Sequence, residues 1–149
     1  MAYNGYLLKI KGVGSGAYSS DYTFPLEYVL EKTFKPIKGI QDKDSYRDGD
    51  GVLHRTVVPA KIAKVEFQLR ENIKASEYDV IMSAIRNRYT KAAERKCKID
   101  VYLPETCTYT GAIDVYLPDP EVVINKIEGN ELFYASIRMA FIGYGNNNI

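Results

Sequence analysis

Tryptophan is absent from this sequence, histidine occurs once and cysteine only twice. The single imidazole, His54, cannot supply the histidines of most zinc sites, and Cys97 and Cys107 lack the spacing of paired metal ligands. No Gly-x-Ser-x-Gly elbow and no cysteine–histidine pairing accompanies the histidine. We therefore expect no catalytic site, no metal site and no cofactor, and we interpret both cysteines as small strand residues that stay reduced.

The chain also lacks a charge excess and a long apolar run. Its net charge is +1, from 20 Lys plus Arg against 19 Asp plus Glu, so no overall field favours nucleic acid or an anionic membrane. No segment approaches the roughly 20 apolar residues of a membrane span, and MAYNGYLLKI is not a charged leader before an apolar stretch. We expect a soluble protein made in the cytoplasm, without membrane contact.

One local basic cluster is the exception to this even charge. We interpret it as the solvated face of a helix, with DNA contact as the minor alternative. Its residues are Arg86, Arg88, Lys91, Arg95, Lys96 and Lys98.

Tyrosine is the abundant aromatic residue, with 13 copies. It joins an apolar ring to a polar hydroxyl, and so suits half-buried sheet faces and protein contact surfaces. The apolar share of 46% and the charged share of 26% are those of an ordinary globular chain. A chain of this length buries enough surface for one core, so we predict a single domain over residues 1–149.

Apolar and polar residues alternate in three segments of the first half, 6–10, 22–37 and 61–70. A period of two predicts strands with one buried face. The clearest case is 61–70, where Val65, Phe67 and Leu69 share one face. Between the first two segments, GVGSGAYSS predicts a mobile loop.

One helix is predicted over about residues 76–95. Ser76 stands at an N-cap position with an acid three residues on, which suits the helix dipole. Apolar residues then recur at spacings of three and four, and this stripe predicts packing on a sheet. They are Tyr78, Ile81, Met82, Ile85, Tyr89 and Ala92.

The hexapeptide IDVYLP occurs twice, at 99–104 and at 113–118. Each copy alternates as an amphipathic strand and ends in proline. A single recurrence falls short of a solenoid, which needs several units at a fixed period. We therefore predict an antiparallel pair of strands, with 108–117 as the return strand after a turn at 104–107.

The last third predicts two more strands, 122–127 and 131–142, joined by a turn at Glu128-Gly129-Asn130 into a terminal hairpin. The polar tail 143–149 is expected to fray. The predicted fold class is α+β, mostly antiparallel β.

The first two thirds of a segment over about 38–59 are charged and have neither the helical nor the strand period. At its centre, Asp48-Gly49-Asp50-Gly51 supplies residues that tolerate the positive φ angles of tight turns. The segment is either a long loop or an extended hairpin, and in both cases a protruding arm of the kind that often carries function.

The acids of this arm were tested against a calcium loop, since clustered carboxylates supply the oxygen ligands that calcium prefers. With Asp42 at position 1, Arg47 replaces the required glycine and Leu53 the final glutamate, so the pattern fails. A solvated arm or an ion-pairing contact surface is the favoured interpretation.

Several stretches together resemble a family of small proteins encoded in the tail modules of long-tailed phages and prophages of Gram-positive bacteria. The resemblance spans nearly the whole chain, although GVGSGAYSSDYT is longer here. The stretches are YNGYLLKI at 3–10, DSYRDGDGVLHR at 44–55, IRNRY at 85–89, and PET at 104–106 with Tyr109 and Tyr116 after it.

The order of elements is similar to the tail-tube-like β-sandwich of tube proteins, tail terminators and distal tail proteins. By resemblance, six copies form a ring around the DNA channel, with the helix outside and the arm reaching the next subunit. Open sheet edges have to be paired or blocked, and a cyclic head-to-tail ring pairs them. We expect intersubunit contact from Tyr46, Arg47, Asp48, Leu53, His54 and Arg55.

The resemblance implies a structural virion protein near the baseplate, made in the host cytoplasm, with tube, tape-measure and baseplate hub proteins as neighbours. DNA would only pass through the lumen. A tube or terminator subunit is the nearest alternative. A receptor- or carbohydrate-binding β-sandwich at the tail tip, with tyrosine-rich faces as stacking platforms, is the alternative from another class.

Overall fold

A computed structural model describes residues 3–144, with the side chains of 38–45 and 55–63 outside the description. Eleven strands and one α-helix follow one another in the described chain. They are β1 Leu8–Ile10, β2 Tyr22–Thr23, β3 Lys35–Arg47, β4 Leu53–Gln68, β5 Ile73–Lys74, α1 Ala75–Arg86, β6 Lys96–Leu103, β7 Thr108–Tyr109, β8 Ile113–Tyr116, β9 Ile124–Glu128, β10 Glu131–Tyr134 and β11 Arg138–Gly143.

The strands form two antiparallel sheets. The larger sheet has the order β2-β1-β6-β8-β11-β4-β3, with β7 beside the end of β6, and the smaller has the order β5-β10-β9. Every strand pairing in the described chain is antiparallel. The predicted α+β class, mostly antiparallel β with a single helix, is confirmed.

The two copies of IDVYLP lie side by side as β6 and β8. Ile99 faces Ile113 and Cys97 faces Val115 across the pair, and all four side chains are buried. The predicted hairpin is confirmed, although Gly111, at φ +73°, separates the return strand into β7 and β8. The repeat is two adjacent strands that fill the same core face.

The core lies between the inner face of the larger sheet and the helix. Phe67 meets the ring of Phe24 at 5.0 Å and that of Phe141 at 6.5 Å between centroids. From α1, the predicted stripe buries Ile81 and Ile85 together with Met82. The helix therefore packs on the sheet as its periodicity predicted.

The helix is shorter than the predicted 76–95. It ends at Arg86, because the backbone N–H of Thr90 donates to Lys96 O at 2.7 Å and that of Lys96 donates to Lys91 O at 3.2 Å. These bonds close a loop, and Arg95 at φ +55° completes it. The apolar spacing continued past the helix because Tyr89 still packs on the core.

The start of the helix also differs from the prediction. It begins at Ala75, and the Glu77 carboxylate accepts the backbone N–H of Lys74 at 3.1 Å. Ser76, the predicted cap, instead donates its hydroxyl to Glu131 at 3.4 Å. An acid in the first turn still stabilises the start through the unpaired N–H groups.

The strand predicted over 22–37 is wrong. Only β2 and the beginning of β3 are strands there, and a 3₁₀ turn over Leu26–Tyr28 begins after Pro25. Lys32, at φ +70°, reverses the chain again. On the predicted inner face Phe24 is buried, whereas Leu26 and Leu30 are exposed.

The strand predicted over 131–142 is divided between the two sheets. Its first part, β10, pairs with β9, so the terminal hairpin is confirmed, and its second part, β11, lies between β8 and β4. Between the two parts, the Ser136 hydroxyl donates to Leu69 O at 2.6 Å. Ile137, Met139 and Phe141 are buried in the core. The end of the tail, 145–149, lies outside the described residues.

The loop after β1 is closed by the side chain of Asp21, which accepts the Gly12 N–H at 2.9 Å and binds Lys11 Nζ at 2.8 Å. A Cβ at position 12 would stand 2.0 Å from Ser19 O, so glycine is required there. The predicted glycine- and serine-rich loop is present between β1 and β2.

The arm is an extended hairpin, not a long loop. Strands β3 and β4 pair from Lys35 opposite Glu66 as far as Arg47 opposite Leu53. Strand β11 pairs with β4 only over Lys64–Gln68. Between these paired residues and the tip, β3 and β4 form described strand pairings only with each other.

A matched pair of isoleucine variants tests this description of the core. Ile99 is fully buried in β6, whereas Ile127 in β9 is 68% exposed. We expect Ile99→Ala to lower the free energy of unfolding by about 2–5 kcal/mol because it leaves a cavity. Ile127→Ala should cost less than about 1 kcal/mol. Urea denaturation measures both, and equal losses would contradict the assigned burial.

Candidate functional site

The arm tip, residues 46–54, is organised by the carboxylate of Asp48. Its Oδ1 accepts the backbone N–H groups of Asp50 at 3.0 Å and Val52 at 3.1 Å. Its Oδ2 pairs with His54 Nε2 at 2.9 Å. The hydrogen bond from His54, followed by that from the Val52 amide, holds the pKa of Asp48 below its usual range. The carboxylate therefore stays charged and fixes the turn.

Further contacts within the tip make it self-contained. The ring of Tyr46 stacks on that of His54 at 4.8 Å between centroids, and Arg47 Nη1 donates to Gly51 O at 2.9 Å. Every described hydrogen bond of the tip has both partners within 46–54. The tip thus has a defined shape without support from the rest of the domain.

The structure brings five of the six predicted contact residues together at this tip: Tyr46, Arg47, Asp48, Leu53 and His54. The side chain of the sixth, Arg55, lies outside the described side chains. Three of these side chains make hydrogen bonds within the tip and so shape the turn: Arg47, Asp48 and His54. Their contribution to any partner is therefore largely structural.

The groups left available for a partner are different ones. Tyr46 is 60% exposed, Val52 54% and Leu53 44%. The Asp50 carboxylate makes no hydrogen bond or ion pair with the described side chains. Sequence reasoning missed Asp50 and Val52, because it treated Asp-Gly-Asp-Gly only as turn residues. The signal was the valine, an apolar residue placed directly after the turn glycines.

A groove of about 530 Å³ separates α1 from the segment 117–122. We call it the helix groove. Its lining is apolar and aromatic with three charged groups, and comprises Tyr78, Met82, Arg86, Tyr89, Ala92, Arg95, Leu117, Pro118, Asp119, Pro120 and Val122.

The charges of the helix groove are unequally paired. Arg95 is bound to Asp119 by an ion pair, whereas the guanidinium of exposed Arg86 has no hydrogen bond or ion pair to any described group. Burial raises the pKa of Tyr78 and of Tyr89, so both hydroxyls stay protonated and can donate. The groove therefore presents an apolar floor beside one unpaired guanidinium.

A second assembly, the tyrosine cluster, consists of Tyr3, Tyr6, Tyr102 and Tyr109. Successive rings lie 4.5 to 5.6 Å apart between centroids. The Tyr6 hydroxyl donates to Asp100 at 2.9 Å, and burial together with that carboxylate raises the pKa of Tyr6 to about 12. The cluster joins the N-terminal segment to β6 and β7, and sequence reasoning did not foresee it.

The predicted basic helix face is only partly a solvated face. Arg88 is buried, with Nε donating to Ser20 O at 3.0 Å and Nη1 to Ala84 O at 2.9 Å. Lys91 and Lys98 form ion pairs with Glu94 and Asp114. Because the helix ends at Arg86, the six cations do not share one helical surface.

The cysteines are both free, with Cys97 buried in β6 and Cys107 exposed in a turn at φ +55° instead of in a strand. Burial raises the pKa of the Cys97 thiol to about 12, which keeps it protonated at neutral pH. Among the described side chains, no three His, Cys, Asp or Glu residues form a metal-binding group. The side chains of Asp42 and Asp44, in the segment whose calcium pattern fails, lie outside the described ones.

Acid titration tests the organisation of the tip. Because the pKa of Asp48 is lowered in the folded chain, its stabilising bonds persist above the ordinary aspartate pKa and are lost as the pH falls through the lowered value. We expect the amide resonances of Asp50 and Val52 to shift together at that midpoint in an NMR titration. His54→Ala should raise the midpoint, since His54 is the largest cause. If the titration midpoint is the same in His54→Ala as in the original chain, the assigned hydrogen bond between Asp48 and His54 is contradicted.

Comparison with known proteins assigns the chain to a family but does not indicate a function. None of the helices described in residues 3–144 is long and apolar enough to cross a membrane. No curated protein and no solved structure matches the chain. Residues 1–144 match the model of a family of unknown function, DUF6711. The chain belongs to that family.

Proposed function

We propose that this protein is a structural subunit of a phage tail that assembles as a ring through its arm and has no catalytic role. The observation that carries the proposal is the arm tip, an exposed turn whose shape is fixed by its own hydrogen bonds. A preorganised protruding element binds a partner with little loss of conformational entropy. The arm tip makes no described hydrogen bond to the core, so the stability of the core does not account for its fixed shape.

Open sheet edges supply the second support. Strand β9 pairs only with β10 in the described chain, and its outer edge carries exposed Ile124 and Ile127. In the larger sheet, β3 is an edge strand, and β4 pairs only with β3 in the described pairings before residue 64. Exposed apolar edges favour pairing with another chain, and head-to-tail copies of one chain can supply that pairing.

The place of the ring in a tail rests on the sequence resemblance. It favours the distal end near the baseplate, with tube, tape-measure and hub proteins as neighbours and DNA passing only through the lumen. A tube or terminator subunit would use the same edges and the same arm. The order of genes around its own separates these positions, because a tape-measure frame directly upstream favours the distal end.

The tyrosine cluster favours a second candidate, a carbohydrate- or receptor-binding surface at the tail tip. Tyr3 is 47% exposed and stands edge-on to Tyr102, with the Asp100 carboxylate close by at Tyr6. Aromatic faces beside an acid are suited to stacking and hydrogen bonding of a sugar. Titration calorimetry with cell-wall glycans tests it, and affinity that survives Tyr102→Ala would exclude this surface.

Shortening the arm tests the ring. In the β3–β4 ladder Gln41 faces Val58, so replacing residues 42–57 by Asn-Gly leaves a two-residue hairpin turn. We expect the full chain to sediment at about six times its 16.9 kDa mass. The shortened chain should keep its circular dichroism and sediment as a monomer.

The control for this experiment is Val80→Ser on the outer side of α1, at a residue that is 65% exposed. It should keep the mass of the full chain. A ring that persists without the arm would refute the role of the arm, and a full chain that is monomeric at every concentration would refute the ring.

A further inference from the structure

The helix groove and the arm tip are complementary in chemistry. The groove offers an apolar floor and the unpaired cation of Arg86, and the tip offers the unpaired Asp50 carboxylate beside exposed Val52 and Leu53. We propose that the helix groove is the acceptor site for the arm tip of a second copy of this chain. This inference rests on the proposed function and names the surface that the arm meets.

Charge selects the pairing of these two surfaces. Within the groove, Asp119 neutralises Arg95 and leaves a net positive charge at Arg86. Within the tip, Arg47 donates to a backbone carbonyl and Asp48 is bound to His54, so Asp50 is the free anion. The groove is therefore net positive at Arg86, and joining the Asp50 carboxylate to it brings opposite charges together beside apolar side chains.

Size and shape agree with this occupant. A groove of about 530 Å³ has the volume of a small-molecule site, roughly 300–1,000 Å³, and so accepts the few side chains of a hairpin turn. The tip is preformed, which removes the ordering cost that a flexible segment would bring to the contact. Tyr78 and Tyr89 line the groove as rigid aromatic walls, the residue type enriched at interface centres.

The contact extends beyond the groove. Val122 lines it, and the next residues, Val123 and Ile124, are each 53% exposed and lead into the open strand β9. A stable interface buries about 1,200–2,000 Å² in total, more than a hairpin tip alone covers. The apolar edge of β9 provides the adjoining area, so tip and edge are engaged by the same neighbouring copy.

The tip does not occupy the groove of its own chain. All its described hydrogen bonds are internal, and among the described groups of a single copy the Asp50 carboxylate and the Arg86 guanidinium have no hydrogen bond or ion pair. The contact therefore joins two different surfaces of two copies, and in a head-to-tail pair one copy keeps its groove and the other keeps its tip available for the next copy. This head-to-tail arrangement continues from copy to copy until it closes.

A charge exchange tests the proposed contact. Asp50→Arg or Arg86→Glu alone should weaken assembly by about tenfold or more, because each places like charges together. The double variant restores an opposite pair and should return assembly to within about threefold of the original chain. Sedimentation equilibrium measures all four proteins. Asp79→Arg, which changes the charge at an exposed helix position outside the groove lining, should leave assembly unchanged.

Crosslinking provides a readout that does not depend on stability. In a Cys107→Ser background, one copy carries Asp50→Cys and a second copy, of different mass, carries Ala92→Cys in the groove. A short bismaleimide should join these two copies to each other, and it should not join Asp50→Cys to an Asp79→Cys copy. Heterologous adducts support the proposal.

The outcomes distinguish failure of the docking site from failure of the proposed ring. If both charge-reversal variants still assemble as rings and no groove adduct forms, the docking site is refuted and the proposed ring is not. A chain that stays monomeric and gives no adduct would overturn both. Single reversals that weaken assembly without rescue by the double variant, and without the adduct, would also overturn the pairing of Asp50 with Arg86.

Discussion

Burial of one face of the larger sheet is the constraint on which the rest of this molecule depends. Alternate side chains of a strand point to opposite faces, so the positions that bury Ile99, Val101 and Val115 force their neighbours outward. Those neighbours are the charged and tyrosine residues of the outer face. A sheet that is closed by a helix on one side only also ends in edges. The tyrosine-bearing outer side of β6 and the edges of the larger sheet are consequences of this single arrangement.

The arm lies outside that arrangement and is stabilised differently. Residues far from the core cannot gain from apolar burial, so their conformation has to come from local hydrogen bonds and turn chemistry. Asp48 provides both, since one carboxylate oxygen satisfies two backbone donors and the other binds His54. Charge-assisted bonds of this kind are stronger than neutral ones. A turn that is this fully determined, yet exposed, has the properties of a binding element.

Sequence periodicity predicted the elements whose burial is local and regular. The strand around Phe67, the paired copies of IDVYLP and the inner stripe of the helix all follow from spacing alone. Errors occurred where hydrogen bonds between distant segments override spacing: the loop closed between Thr90 and Lys96 ends the helix early. Residue 136 bonds to Leu69 where the chain changes sheets. The helix groove was not predictable, because its walls come from two segments some thirty residues apart that meet only in the folded chain.

The proposed contact between tip and groove gives a reason for the charges of Asp50 and Arg86 that have no partner among the described groups. A chain that needed only its own stability would gain by pairing Arg86 internally, as it pairs Arg95 with Asp119. An isolated, exposed cation beside an apolar surface contributes nothing to folding, but it discriminates between partners, since a neutral or cationic segment would leave it desolvated. In a head-to-tail contact, the tip of one copy fills the groove of the next and leaves one groove and one tip open at the two ends of the pair. The unmet site on each end then requires a further copy, and a closed ring is the arrangement in which none is left over.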